Sequence, residues 1–303
     1  MGLGGGWNNT PVSNADIKQG HEVIDTVLQA NINYFDHADI YTFSKAEQVF
    51  GQVLNSRPEL RKQMIIQSKC GIRFEDENSP TRYDFSAQHI TNSVEQILTR
   101  LNCEYLDVLL LHRPDPLMDI NEVARCVEQL MRDGKINALG VSNMNHHQIA
   151  LLNHALPKPV VINQLELSLN HLNWLDDGIV AGQSGLEQVN FSSGTMEYCQ
   201  LHNIQIQAWG SLAQGIFSGR ANENSEPHIH ATASLVNQLA EQYRTSSEAI
   251  VLAFIQRHPA KIQPVIGTTN LDRINACAQA QHVELSREHW YQLYVSARGQ
   301  NLP

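Results

Sequence analysis

Four residues in the sequence have the types and surroundings to move a proton: Asp36, Tyr41, Lys69 and His112. Two of them fall in "NYFDHADIY" (33–41), a strand-forming run that breaks into two aspartates, a histidine and a tyrosine. A tyrosine has a reference pKa near 10, so it is neutral at pH 7 and can donate its proton, and a nearby cation brings that pKa closer to working pH. Lys69, which closes "MIIQSK" (64–69), is the candidate cation. A lysine withdrawn from water needs a counter-ion, because removing one partner of a buried pair costs roughly 3–5 kcal/mol; Asp36 is the natural one. His112, closing "LDVLLLH" (106–112), can hydrogen-bond the same substrate oxygen and orient it.

The same residues leave other chemistries open. His37 and Asp39 stand at i and i+2, where an extended backbone points both the same way, as a metal-dependent hydrolase would use them. Such enzymes generally need a His-x-His pair and further histidines on later strands, and only His112 clearly qualifies. "HIH" (228–230) has the spacing but reads as part of a polar, solvent-facing lid with no third ligand evident. "GVSNM" (140–144) approaches the G-x-S-x-G nucleophile elbow, with Met144 where a small residue is needed. "GLGGGW" (2–7) has glycines without a preceding strand or the full G-x-G-x-x-G spacing of a dinucleotide-binding turn.

The elements that must position these groups are short β-rich runs, each followed by a segment of helical periodicity: "INYFD" (32–36), "MIIQSK" (64–69), "LDVLLLH" (106–112), "INALGVS" (136–142), "VVINQLE" (160–166), "IQIQAW" (204–209) and "IQPVIG" (262–267). With "GLGGGW" counted as a strand there are eight. "DFSAQHITNSVEQILTRLN" (84–102) shows the helical kind, with Ile90, Val94, Ile97, Leu98 and Leu101 on one face and Asp84 or Ser86 as N-cap. Strands alternating with helices imply parallel βαβ units, and eight units predict an α/β fold of the (β/α)8 TIM-barrel type, whose usual size is about 250 residues. A doubly wound sheet is the alternative. No Pro- or Ser-rich linker divides the 303 residues, which predicts a single domain over 1–303. Asp36, Lys69, His112, Ser142 with Asn143, and Gln164 all fall at strand C-termini, which converge on one mouth in a barrel. Residues 70–86 and 210–234 read as long loops on that face.

Composition narrows the partners. The net charge is -10 with Lys and Arg scattered, which argues against a phosphate backbone and so against nucleic acid. Hydrophobic residues make up 42%, enough for a substantial core, and no uncharged apolar stretch is long enough to span a bilayer. Five widely spaced cysteines without metal-ligand spacing predict reduced thiols, and the N-terminus lacks a signal-peptide pattern, so a cytoplasmic location is expected.

"DHADIY", "SKCG", "LHRPDP", "GVSN" and "NQLELS" occur in the order and at the strand ends that they take in aldo-keto reductases, and the chain resembles that family over essentially its whole length. "HRPDPLMDINEVA" (112–124) is especially similar to a subgroup of bacterial oxidoreductases. The resemblance implies a catalytic tetrad of Asp36, Tyr41, Lys69 and His112, with Tyr41 as proton donor. It implies NADPH-dependent reduction of a small carbonyl substrate, aldehyde or ketone, to an alcohol. Ser142, Asn143 and Gln164 would hold the nicotinamide carboxamide, and Trp209, where many relatives have tyrosine, would stack on its ring. Gly210, Ser211, Leu212, Gln214 and Gly215 of "GSLAQG" would wrap the pyrophosphate. Ile266, Gly267, Thr268 and Arg273 of "IGTTNLDRINAC" (266–277) match the segment for the adenosine 2′-phosphate.

Two positions in that last segment depart from the family. Gly267 replaces a lysine found in many relatives, and Cys277 falls where many have an adenine-contacting asparagine. Arg273 alone can still make charge-assisted bonds worth about 1.5–3 kcal/mol each, which favours NADPH over NADH. The family also contains cofactor-binding regulatory subunits, so a non-catalytic role on the same fold is the alternative. Monomers are common among relatives. Members usually begin with a hairpin that closes the barrel floor, whereas this sequence starts almost on its first strand; the expectation is an exposed floor or a gene start placed too late. Trp7, Phe43 and Tyr83 are candidates for an aromatic substrate pocket or for packing between loops.

Overall fold

A computed structural model describes residues 2–180 and 189–303. The chain gathers into two compact units, Met1–Asn163 with Gly267–Leu271 and Gln164–Ile266 with Asp272–Pro303. In the first, helices and strands alternate: α1 (Asn14–Gln29), β1 (Tyr34–Asp36), α2 (Lys45–Ser56), β2 (Ile65–Cys70), α3 (Ala87–Leu101), β5 (Leu106–Leu111), α4 (Ile120–Arg132), β6 (Ile136–Ser142) and α5 (His146–Ala155), with a small hairpin of β3 (Ile72–Arg73) and β4 (Arg82–Tyr83) between β2 and α3. The strands β1, β2, β5 and β6 lie side by side and parallel, with Asp36 opposite Gln67, Lys69 opposite Leu110 and Leu111 opposite Val141. Leu109, Leu110 and Leu111 are fully buried, as strands covered on both faces require.

The expected face of α3 is the buried one: Ile90, Val94, Ile97, Leu98 and Leu101 are all in the core. Ser86 caps the helix by accepting from the His89 N–H at 3.3 Å, and left-handed Asn102 ends it. Burying each large apolar side chain contributes about 1.5–3 kcal/mol, so the stripe holds the helix in place. Its partner α2 approaches closely at Gly51, where a Cβ would stand 1.9 Å from the Arg100 carbonyl oxygen; only glycine fits. Glu47 of α2, fully buried, accepts from Arg100 Nε at 2.7 Å and from Ser68 Oγ at 2.6 Å, which ties α2 to α3 and to β2.

The second unit contains β8 (Gln205–Trp209), β9 (Gln263–Pro264) and most of β7 (Ile162–Glu166), neighbours in the order β7, β8, β9. Around them are α6 (Asn173–Ile179), α7 (Thr195–Leu201), α8 (Pro227–Tyr243), α9 (Ser247–Gln256), α10 (Leu271–Ala278) and α11 (Arg287–Arg298). β8 and β9 pair in parallel through Gln207 with Gln263 and Ala208 with Pro264.

Three expectations need correction. "GLGGGW" is not a strand: Gly4, Gly5 and Gly6 have φ of 83°, 73° and 90°, a left-handed run that no strand accommodates. The 70–86 segment carries the β3–β4 hairpin, and the second half of 210–234 is helix, because Pro227 opens α8. "HIH" therefore lies in a helix, where i and i+2 diverge, and Ile229 between the two histidines is buried. Among the described residues, no hairpin precedes α1 and no helix is long and apolar enough to cross a membrane. The five cysteines are free thiols.

Candidate active site

Parallel pairing of β1 with β2 and of β2 with β5 brings Asp36 and Lys69 together and sets His112 just past the end of β5. Lys69 is completely buried and donates to Asp36 Oδ1 at 2.6 Å, to the His37 carbonyl at 2.8 Å and to Tyr41 Oη at 3.1 Å. An ammonium has three N–H groups, and each has a partner. The Tyr41 and His112 rings meet edge to face at 6.0 Å. The four predicted residues thus form one cluster.

Their electrostatics follow from burial set against charge. Burial alone would lower the Lys69 pKa, but the Asp36 carboxylate and Tyr41 outweigh it and raise the pKa above its ordinary value. For His112 burial dominates, with Lys69 adding to it, and brings the imidazole down to about 3; the ring is neutral at pH 7. Its Nδ1 is buried and has no hydrogen-bond partner. For Tyr41, Lys69 acts to lower the pKa as expected, but burial outweighs it and pushes the phenol above its ordinary value.

Tyr41 sits on a tight turn in which Thr42, Phe43 and Ser44 follow one another with φ of 50°, 56° and 68°. Three successive non-glycine residues in left-handed backbone are unfavourable, and side-chain bonds hold them there: Thr42 Oγ1 donates to the Leu3 carbonyl at 2.9 Å and Ser44 Oγ to the Asp39 carbonyl at 2.6 Å. The turn presents Phe43 to Trp7 at 5.4 Å and to Phe74 at 5.6 Å. Phe74 joins these aromatics where Tyr83 was expected; the Tyr83 ring makes no contact with them among the described residues.

Two supporting residues escaped the sequence reading. Gln67 Nε2 donates to Asp36 Oδ1 at 2.5 Å, and Tyr34 Oη donates to Gln67 Oε1 at 2.9 Å. Both stand two positions before a tetrad residue on its own strand and so share its face, a signal that period-two reasoning could have used. Asp39, weighed earlier as a metal ligand, has its Oδ1 shut off from solvent without a hydrogen-bond partner; burial, aided by the Glu47 carboxylate, raises its pKa to about 7. His37 packs its buried ring on Phe50 at 4.5 Å.

The raised Asp39 pKa has a thermodynamic consequence. Between the ordinary carboxyl value of 3.8 and about 7 the folded state holds a proton that the unfolded state has lost, so this carboxyl costs stability progressively as pH rises through that window. Asp39→Asn removes the cost. The variant's stability advantage over wild type in urea unfolding should widen from pH 4 to pH 8, by up to roughly 4 kcal/mol at about 1.4 kcal/mol per pKa unit. A constant difference across that range would clear Asp39 of the role.

Of the expected cofactor residues, Ser142 ends β6, nearly fully buried, and Asn143 follows at φ 60°; Asn143 Nδ2 donates to Ser142 Oγ at 2.8 Å and to the His112 carbonyl at 3.2 Å. In the second unit Gln164 Nε2 donates to Gln207 Oε1 at 2.9 Å and Gln207 Nε2 to Gln263 Oε1 at 3.0 Å, an amide ladder across β7, β8 and β9. Trp209 closes β8, and Gly210, Ala213, Gln214 and Gly215 then turn the chain through positive φ, with Ser211 Oγ donating to the Val265 carbonyl at 2.9 Å. Leu212 and Ile266 pack on a core of Ala249, Leu252, Cys277 and Ala280. Cys277 is therefore a core residue, its thiol pushed up to about 12 by burial. Thr268 Oγ1 accepts from the Asn270 N–H at 3.1 Å, and Arg273 Nε lies 3.8 Å from Glu248 Oε1. Gly267 and Thr268 fall in the first unit and Arg273 in the second.

The family model described as "Aldo/keto reductase family" matches residues 1–294. The chain belongs to the aldo/keto reductase family. Among curated relatives it is similar to the oxidoreductase YdhF of Escherichia coli, at 33% identity over 96% of this chain and 91% of that protein. It is also similar to a 6-dehydroglucose reductase of Agrobacterium fabrum, at 34% identity over 92% and 88%. The crystal structure of the thermostable aldo-keto reductase Tm1743 with the inhibitor epalrestat superimposes with a TM-score of 0.74 at 19% identity, covering 97% of this chain and 92% of that one. This aldo/keto reductase has the (β/α)8 fold class that its strand and helix alternation predicts, and it is an oxidoreductase of a family that generally uses nicotinamide cofactors.

Proposed function

We propose that this aldo/keto reductase uses NADPH to reduce a small carbonyl compound, aldehyde or ketone, to an alcohol, with Tyr41 as proton donor, and that it does so in the cytoplasm as a single-domain enzyme. The observation that carries the reading is the fully buried Lys69 ammonium bonded at once to Asp36 and to Tyr41 Oη.

Tyr41 is held neutral by burial and so arrives with its proton. As negative charge develops on the substrate oxygen, Tyr41 passes its proton to it, and Lys69 at 3.1 Å stabilises the phenolate left behind through a charge-assisted bond in a water-poor site. Asp36, oriented by Gln67, keeps Lys69 charged throughout. Neutral His112 has one ring N–H to donate to the substrate oxygen without competing as an acid, and Asn143 holds its backbone. The bound reduced nicotinamide supplies the hydride that the carbonyl carbon accepts.

The residues fit that cofactor in kind. Ser142, Asn143 and Gln164 carry groups that both donate and accept, as a carboxamide requires, and Trp209 offers a flat π surface. Gly210, Ala213, Gln214 and Gly215, all at positive φ, make a tight turn of the kind that suits a pyrophosphate. Arg273, with Thr268, Gly267 and Ile266, is assigned to the 2′-phosphate. Arg273→Ala should weaken NADPH roughly ten- to a hundredfold and leave NADH nearly unchanged, read by equilibrium titration. Equal loss for both would remove Arg273 from that role.

The test of the whole reading is a titration of the protein with NADPH and NADH by tryptophan fluorescence, followed by NADPH oxidation with a panel of aldehydes and ketones. The panel includes 6-dehydroglucose, for which a relative is named. Micromolar NADPH binding with turnover supports it. Binding without turnover of any carbonyl would favour a regulatory protein, and no binding would end the nicotinamide assignment.

A further inference from the structure

The second unit carries a half-open cavity of about 510 Å³ that the proposed reaction does not use. Arg257 and His258, in the turn that leads into β9, line it, whereas Ile266 follows the opposite end of that strand. Its walls are aromatic. Trp174 meets His258 edge to face at 5.2 Å, and Trp290 of α11, stacked on Phe254 at 4.9 Å, stands 5.0 Å from Tyr291.

Two features separate this cavity from ordinary packing space. Trp174 is only 4% exposed, yet its indole Nε1 is buried with no hydrogen-bond partner, a deficit that typically costs about 1–3 kcal/mol. Trp290 differs, since its Nε1 donates to the Phe254 carbonyl at 2.9 Å. The second feature is charge. Arg257 and Arg287 both line the cavity, and neither has an ion pair among the described residues, although the protein carries a net charge of -10. Arg257 spends only its Nε, on the Leu285 carbonyl at 3.1 Å, and Arg287 lies over the Tyr291 ring at 5.3 Å. The acidic group on the wall, Glu197, acts on His258, whose imidazole is held below its ordinary pKa by burial despite it.

We propose that this cavity binds a small planar aromatic carboxylate, its ring against Trp174 and Trp290 and its carboxylate on Arg257 and Arg287. Flat π walls select a flat ring, and the guanidinium fork matches a carboxylate with two parallel bonds.

The experiment is a titration of the full chain, labelled with 15N at its four tryptophan indoles, with 2-naphthoate and with the uncharged 2-naphthamide. Trp174→Phe and Trp290→Phe assign the two resonances. The Trp174 and Trp290 indole signals should move together with 2-naphthoate while those of Trp7 and Trp209 stay in place. 2-Naphthamide should bind at least about tenfold more weakly, and Arg287→Gln should cost a similar factor for 2-naphthoate, since a bond to a charged group is worth about 1.5–3 kcal/mol. Arg287 is exposed, so the variant keeps its fold. A Trp174 signal unmoved at millimolar 2-naphthoate overturns the proposal, as does movement confined to Trp7 or Trp209. Equal affinity for acid and amide, unaffected by Arg287→Gln, would show nonspecific hydrophobic uptake and overturn it as well. None of these readouts needs NADPH or turnover.

Discussion

Tyr41→Phe is expected to lower kcat with any carbonyl substrate by roughly 10²–10⁴-fold while NADPH binds as before, because on the proposed function the change removes the proton donor and leaves the proposed cofactor residues untouched. The ring keeps its edge-to-face contact with His112, so shape is preserved. Lys69 loses the acceptor at 3.1 Å and keeps Asp36 and the His37 carbonyl, so the fold should lose only about 1 kcal/mol. Steady-state rates beside a cofactor titration separate the two effects: a kcat near wild type would mean that another group delivers the proton, and lost NADPH affinity would mean that the site had collapsed.

The largest expected effect on stability lies away from the tetrad. Arg100→Met leaves the fully buried Glu47 carboxylate with Ser68 as its remaining partner, and breaking such a buried pair costs roughly 3–5 kcal/mol. Burial already raises the Glu47 pKa, and Arg100 is the charge that holds it down. Without the arginine the folded-state pKa climbs further above its unfolded value. The loss should therefore be smallest in acid, where Glu47 is protonated in both states, and should grow as pH rises through the folded pKa. Urea unfolding at pH 5 and pH 8 reads this directly. Glu47→Leu combined with Arg100→Met should recover most of the loss, since an apolar pair needs no compensation; a double variant as unstable as the single one would place the cost in helix packing at Gly51.

Why some of this was visible in the sequence and some was not follows from how far each interaction reaches. The buried face of α3 and the strand-end positions of Asp36, Lys69 and His112 were legible because period and residue type are local. The pairing of Asp36 with Lys69 was legible because a lysine facing a barrel interior has few other answers. Glu47 with Arg100 was not, since the partners lie 53 positions apart and each reads as an ordinary solvated helix charge. "GLGGGW" misled because an apolar run looks like a strand until the φ of each glycine is known, and "HIH" misled because Pro227 signals a helix start as well as a loop. The direction of the Tyr41 pKa depends on burial, which composition does not encode.

The left-handed turn at Thr42, Phe43 and Ser44 also bears on any attempt to make the enzyme hardier. Its backbone stores free energy that glycine would release at the exposed Phe43, so thermal selection alone would be drawn to this position. Each such gain would loosen the segment on which Tyr41 stands. Heat resistance and rate are therefore expected to move in opposite directions here, and a screen that scores only the first would enrich robust proteins that no longer turn over.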